Sequence, residues 1–356
     1  MEGENGAIMD IADVERAIRW QAEHCMRNGA PCTGRLLLGF LALLGTDLAV
    51  AGRMREWEGL SLEDAMPLRL AGGFHNLHLT GAEMRLGPVY RGETTDQGEV
   101  DAIVLAVAQD HDAQLLPWFE GPPQTNEAGR SAGVMGALLW LSDRIGPRFA
   151  LMELGSSAGI NTMLDRFSFD LGGVRVGGRT SPMHIAPEWR GAMPPQADVE
   201  ITSIRGCDIA PIDLTDPVQA LRLKSYVWAE MHERLERIDA AQALAVERKP
   251  SVERADAADF VTRMLAAPQD AGVARVLFHT IVWQYLPPVS RTLIEQVMER
   301  AGKEASAERP LAWIRVETNR RTFRHEIRVR HWPGGGEEAL LGEVHAHGAW
   351  VEWFPA

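Results

Sequence analysis

The chain is expected to be an α/β protein in which an all-α N-terminal domain, residues 1–145, precedes a doubly wound, mostly parallel sheet, residues 146–356, with an antiparallel C-terminal strand pair. Three observations lead there. Apolar positions recur at helical spacing as far as Arg144, short apolar runs then alternate with helical stretches from Phe149 onward, and the residues from His325 carry strand-like runs with no helix between them. Strands separated by crossover helices lie parallel with both faces covered, which is why the middle pattern implies this kind of sheet.

In the helical part, Asp10 is placed to cap a helix whose apolar residues Ile11, Val14, Ile18 and Cys25 follow helical spacing, ended by Gly29-Ala30-Pro31. A second helix is expected over 35–57. Ser61 with Asp64 forms a capping-box pattern for a third, 62–79, closed by Gly81. The fourth spans 99–116, and its Asp110-His111-Asp112 run is expected to face water. Asn126 is placed to cap a fifth helix, which reaches Arg144 before Gly146-Pro147. Strands are then expected at 149–154, 199–204, 251–255, 273–281 and 311–316, with helices at 157–166, 217–247, 257–267 and 289–302. A Gly-rich hairpin around 170–179 would fill the interval after the first strand. Residues 325–332 and 339–354, on either side of a Pro-Gly-Gly-Gly turn, form the antiparallel pair.

With 356 residues, 46% of them hydrophobic, the chain can bury a substantial core. A net charge of −13 argues against nucleic acid or an anionic membrane as the main partner, since both reward a basic face. A local basic patch is still open, because Arg315, Arg320, Arg321, Arg324, Arg328 and Arg330 lie close together. The opening MEGENGAIMD lacks the basic-then-apolar layout of a secretory signal, so a cytoplasmic location is expected. The apolar run 36–45 is about half of the ~20 residues a membrane span requires. Cys25, Cys32 and Cys207 make no CxxC pair, and His345-x-His347 lacks a third ligand at suitable spacing, so no metal site is expected.

Glu153-Leu154-Gly155-Ser156-Ser157-Ala158-Gly159 ends the first expected strand in a turn of small residues. In letters, Gly155-x-Ser157-x-Gly159 matches the elbow that lifts a nucleophilic serine above a sheet, and Asp256 with His345 or His347 would complete a Ser, Asp, His order. Such an elbow normally follows several earlier strands, whereas Ser157 comes after the first, and no oxyanion-hole loop is evident upstream. The alternative is a cofactor turn. In an open doubly wound sheet the ligand lies beyond the carboxyl ends of the strands, where small residues let it approach the backbone.

At these residues the chain resembles the class I S-adenosylmethionine-dependent methyltransferases, whose Rossmann-like domain opens with an acidic residue and a GxGxG-like turn. Glu153, Gly155, Ser156, Ser157 and Gly159 occupy that motif, with Ser157 in the middle glycine position. The resemblance implies S-adenosylmethionine as cofactor, Asp208 as acceptor of the ribose hydroxyls, and Asp256 facing the adenine amino group with the amide of Ala257 on a ring nitrogen. Asp208 fits equally well as the residue closing a turn before Pro211. His279, inside an apolar run, falls where these enzymes place residues near the methyl group. It fits either a base or a hydrogen-bonded core histidine. Arg130 could reach the cofactor's carboxylate bidentately, or pair with Glu127 as a helix cap.

A closer resemblance spans nearly the whole chain. The set QTNEAGRS (124–131), ELGSSAGIN (153–161), GCDIAPID (206–213) and His347-Gly348 before Trp353 is similar to the bacterial family called domain of unknown function 2332, and 67–70 with His75 and Gly81 fits its helical part. That family implies a methyltransferase-like architecture. The leading expectation is therefore methyl transfer from S-adenosylmethionine to a small-molecule acceptor. The alternatives are a non-catalytic methyltransferase-like binding module, suggested by Ser157, and a serine hydrolase using the GSSAG turn.

Overall fold

The computed structural model describes residues 13–58, 65–334 and 337–355. They form two compact units. One comprises the residues up to Thr125 together with Asp216–Ile238, and the other Asn126–Thr215 with the residues from Asp239 onward.

The first unit is helical. Its first described helix, Val14–Arg27, is capped by Asp13, whose carboxylate accepts from the Arg16 amide at 2.7 Å. Asp10, expected in that role, lies outside the described residues, as does the expected box of Ser61 and Asp64. The helix expected over 35–57 is two helices, Pro31–Leu43 and Ala49–Arg55. The Thr46 hydroxyl bonds the Leu43 carbonyl at 2.8 Å in the break, and Asp112 caps the second helix by accepting from the Ala49 and Val50 amides at 2.7 and 2.9 Å. The Asp110-His111-Asp112 run, exposed at Asp110 and half-buried at the other two, also serves as a set of tethers. Asp110 pairs with Arg85 at 2.7 Å and His111 lies 3.4 Å from Glu83, at a kink in helix Gln97–Leu115. Leu37, Phe40, Met54, Leu70, Phe74 and Val104 fill the core.

Residues 216–238 join this unit through helix Pro217–Ser225 and through Glu230. The Glu230 carboxylate accepts from the Cys32 and Thr33 amides, at 2.5 and 2.9 Å, and from the Thr33 hydroxyl at 2.7 Å. A carboxylate suits that place, because the first turn of Pro31–Leu43 has unsatisfied N–H groups and a partial positive charge. Among the described residues no helix is long and apolar enough to cross a membrane.

The second unit is built on twelve described strands: β1 Arg148–Leu154, β2 Ser168–Leu171, β3 Val174–Val176, β4 His184–Ile185, β5 Glu188–Gly191, β6 Glu200–Asp208, β7 Val252–Arg254, β8 Ala274–Thr280, β9 Leu311–Thr318, β10 His325–Trp332, β11 Ala339–Val344 and β12 Trp350–Trp353. Nine form one sheet in the order β5-β12-β11-β10-β9-β8-β1-β6-β7. The five apolar runs read from the sequence are β1, β6, β7, β8 and β9, and they pair with one another in parallel. From β1 the chain builds outward through β6 and β7 on one side, then through β8 and β9 on the other. The direction of growth reverses between β1 and β8.

The expected C-terminal pair is three strands. Residues 345–348 turn within 339–354, so β10, β11 and β12 extend the sheet antiparallel from β9. They do not form its edge, because β5 pairs outside β12, Trp350 opposite Glu188. The expected hairpin is present as β2 and β3, and with β4 it makes a separate three-stranded sheet. Helices Ala257–Ala266 and Pro288–Glu304 bury Phe260, Ile294 and Met298 against Met152, Leu277 and Trp313. Helix Ser131–Ile145 approaches closely enough that a Cβ on Gly136 would lie 2.8 Å from Trp353.

Candidate functional site

The turn after β1 is left-handed at three positions: Gly155 (φ +62°), Ser157 (φ +50°) and Gly159 (φ +73°). Ser157 therefore holds a conformation that glycine adopts without cost and other residues adopt at roughly 1–2 kcal/mol. The two glycines are also demanded by space. A Cβ on Gly155 would lie 2.6 Å from Val282 and one on Gly159 2.7 Å from Val252. The turn is tied to the end of β6, with the Ser156 amide donating to the Cys207 carbonyl at 3.0 Å and the Ile212 amide to the Ser157 carbonyl at 3.1 Å.

Asp208 takes part in that tie. One carboxylate oxygen accepts from the Ser157 amide at 2.8 Å and the other from the Ala210 amide at 2.8 Å, so it closes the turn before Pro211 as well as bridging two strand ends. Its carbonyl accepts from the Ala255 amide at 3.0 Å, which brings the end of β7 alongside. There Asp256 is the N-cap of helix Ala257–Ala266, accepting from the Ala258 amide at 2.8 Å, and Ala257 is that helix's first residue. Glu153 is 1% exposed. Burial pushes its carboxyl up to about 8, with Asp208 adding to the rise and Ser156, Asn161 and Arg130 opposing it. Glu153 Oε2, Ser157 Oγ and Asn161 Oδ1 are buried polar atoms without a hydrogen-bond partner.

Residues 126–131 hold the loops around this turn. Asn126 is not the expected helix cap, since its side-chain oxygen accepts from the Ile160 amide at 2.8 Å and the helical path starts with the 3₁₀ turn Ala128–Arg130. Arg130 is buried and donates to the Ala346 carbonyl at 2.7 Å and the Thr280 carbonyl at 3.1 Å, joining the 345–348 turn to the end of β8. Glu127 faces His347 at 3.5 Å. Gly348 packs so tightly on Gly129 that a Cβ would overlap its backbone.

His279 is fully buried, with both ring nitrogens engaged. Trp313 Nε1 can only donate and lies 3.0 Å from Nε2, so Nδ1 carries the proton and gives it to Glu317 at 2.6 Å. Of the two roles the sequence leaves open for His279, its contacts are those of a hydrogen-bonded core histidine, stacked on Trp283. Its partner Glu317 also accepts from the Val282 and Trp283 amides, at 3.0 and 3.2 Å, and so fixes the loop that packs on Gly155. Neither Glu317 nor Asn126 was singled out as a site anchor from the sequence. The available signals were a carboxylate directly after the apolar run of β9 and an asparagine inside the NEAGRS stretch.

Ser157 Oγ meets no imidazole or carboxylate, so the elbow reading lacks its base. His345 and His347 lie in the turn between β11 and β12, not on one strand face, and among the described residues no three metal-ligating side chains converge. An open depression lined by Asp143, Pro147, Arg175 and Asp198 is at the opposite end of β1.

The strand order and the polar cluster beside its reversal define a mixed α/β protein with a mostly parallel sheet whose candidate site lies at the carboxyl ends of the central strands. The chain belongs to the DUF2332 family, described as an uncharacterized protein conserved in bacteria, whose model matches residues 15–353. No curated protein and no solved structure matches it significantly.

Proposed function

We propose that the second unit binds S-adenosylmethionine at the carboxyl ends of β1 and β6 and transfers its methyl group to a small-molecule acceptor. The observation that carries this reading is the reversal of strand order between β1 and β8, with a left-handed small-residue turn on the central strand beside it. Acidic side chains at successive strand ends, Glu153, Asp208 and Asp256, suit a ligand rich in hydroxyl and amino donors. The unpartnered buried oxygens of Glu153, Ser157 and Asn161 fit the same demand. Asp208 keeps a lone pair on each oxygen beyond its two backbone bonds, enough for a ribose diol.

When bound, the cofactor supplies an electrophilic methyl group. The chain's own part is orientation. Gly155 and Gly159 let Val282 and Val252 pack against the turn, Asp208 sets the turn, and Glu317 and Arg130 fix the loops around it, so that catalysis rests on proximity and alignment. A second reading, a non-catalytic binding module, is favoured by one observation: His279 has no nitrogen left with which to take a proton from an acceptor.

Calorimetric titration with S-adenosylmethionine and S-adenosylhomocysteine tests both. Saturable binding below about 1 mM is expected. Asp208→Asn should weaken it about tenfold, the loss of one charged hydrogen-bond acceptor. No binding at millimolar cofactor, in the native chain or in Ser157→Gly, overturns the proposal. Binding by Ser157→Gly alone favours the non-catalytic module.

A further inference from the structure

The two glycines of the turn after β1 face side chains of unequal freedom. Against Gly159 stands Val252, the first residue of β7, which pairs with Gly206 inside the sheet. Against Gly155 stands Val282, whose two methyl groups would lie 2.6 and 2.7 Å from a Cβ there, and Val282 is outside every strand and helix. It belongs to the segment 281–286, which leads from β8 toward helix Pro288–Glu304 and carries Ile281, Val282, Trp283, Tyr285 and Leu286, none of them buried. Apolar residues kept at the surface beside a turn of small residues suit a cover that shuts water out of a site.

Two features of this segment oppose each other. Ile281 has φ +55°, and it is the one β-branched residue with positive φ among the described residues. A branched Cβ makes that conformation a genuine outlier, so the backbone favours release. Glu317 opposes it: one carboxylate oxygen accepts from the Val282 amide at 3.0 Å, the Trp283 amide at 3.2 Å and His279 Nδ1 at 2.6 Å. Trp283 adds a second hold, its ring stacked on His279 with centres 5.0 Å apart. At one end the Ile281 amide still belongs to the sheet, donating to the Val316 carbonyl at 2.8 Å, while farther on the Tyr285 and Leu286 amides bond back to Val282 and Trp283 within the segment. Strain of this kind persists where the surroundings over-determine it, and it gathers in ligand clamps and switch regions. The alternative arrangement follows directly: Ile281 relaxes to the extended region, Val282 leaves Gly155, and two amides pass from Glu317 to water.

We propose that residues 281–286 form a lid on the turn after β1, hinged at Ile281 and latched by Glu317, and that Val282 withdraws from Gly155 to admit a ligand. That the ligand is S-adenosylmethionine rests on the methyl-transfer reading; the lid does not. Only the open arrangement is competent to bind, so the apparent affinity scales with the open fraction.

Native-state hydrogen exchange on the full chain tests the lid with no ligand present. The Val282 and Trp283 amides should exchange by local opening, ahead of the amides inside β8. Glu317→Gln should speed them about tenfold, the worth of one hydrogen bond to a charged group. Ile281→Gly holds the left-handed conformation without steric cost, so it should slow them about tenfold. In a passive connection the same glycine would loosen the segment and exchange would rise. Calorimetric titration with S-adenosylhomocysteine reads the consequence for binding: Glu317→Gln and Val282→Ala should bind it more tightly than the native chain, by up to about tenfold, and Ile281→Gly more weakly. Should Glu317→Gln fail to fold, Ile281→Gly and Val282→Ala carry the test. Exchange of Val282 and Trp283 only together with β8, faster exchange in Ile281→Gly, or ligand binding that moves against the open fraction overturns the proposal. If S-adenosylhomocysteine binds none of these proteins while the variants shift exchange as expected, methyl transfer falls and the lid stands.

Discussion

Two buried ionisable groups on neighbouring strands are held in opposite ways. His279 is satisfied on both nitrogens, whereas Glu153, three positions before Ser156 and opposite Phe278, keeps an unpartnered oxygen. Burial raises its carboxyl to about 8, so the folded chain retains a proton that the unfolded chain loses near 4.5. The unfolded state therefore binds fewer protons between these values, and stability from this group is full below about pH 4.5 and lost as pH rises through about 8. The amount is on the order of a few kcal/mol. Glu153→Gln should remove that slope and be the more stable protein at pH 8, measured by urea unfolding at pH 5, 7 and 8. Parallel pH profiles for the two proteins would show that Glu153 is not held neutral. Such a proton would also make binding of a cationic ligand stronger as pH rises.

At the level of elements, segment 126–131 acts as a clasp, touching the turn after β1 through Asn126, the end of β8 through Arg130 and the turn before β12 through Gly129. Gly348→Ala should cost roughly 2–4 kcal/mol, combining left-handed strain with overlap on Gly129. Gly334→Ala, also at positive φ but with nothing within 4 Å, should cost only the strain, about 1 kcal/mol. Equal losses in denaturant titrations would refute the close approach. The clasp shows what can be read from sequence. β1, β8 and β9 were legible because strands covered on both faces leave unbroken apolar runs, whereas β6 and β7 carry polar, half-exposed residues and leave a weaker pattern. β4 and β5 were not, because strands of two to four residues are too short to leave a pattern. The helix at 131–145 was legible but its cap was not, since Asn126 is a good capping residue and only the fold shows that it bonds Ile160 instead. His279 needed partners at 313 and 317, and nothing local announces a pairing across strands.

At the scale of the whole molecule, the chain passes between its two units at residues 125, 215 and 238. Periodicity did not reveal this, because 216–238 is as helical as its neighbours. Glu230 is its anchor in the first unit. Glu230→Ala should remove one acceptor from three donors, costing about 2–3 kcal/mol, and speed hydrogen exchange at the Cys32 and Thr33 amides. Unchanged protection at those amides would show that the anchor is dispensable.

The same topology sets an order on biosynthesis. A domain that emerges first from the ribosome can ordinarily fold first, but here the leading helices wait for a piece of themselves encoded after β6. Until residue 238 is translated the first unit lacks helix Pro217–Ser225 and the carboxylate that caps the start of helix Pro31–Leu43. The nascent chain must therefore hold an unfinished helical bundle while half of the parallel sheet is being made, and a gene fragment cut at residue 125 encodes no complete domain.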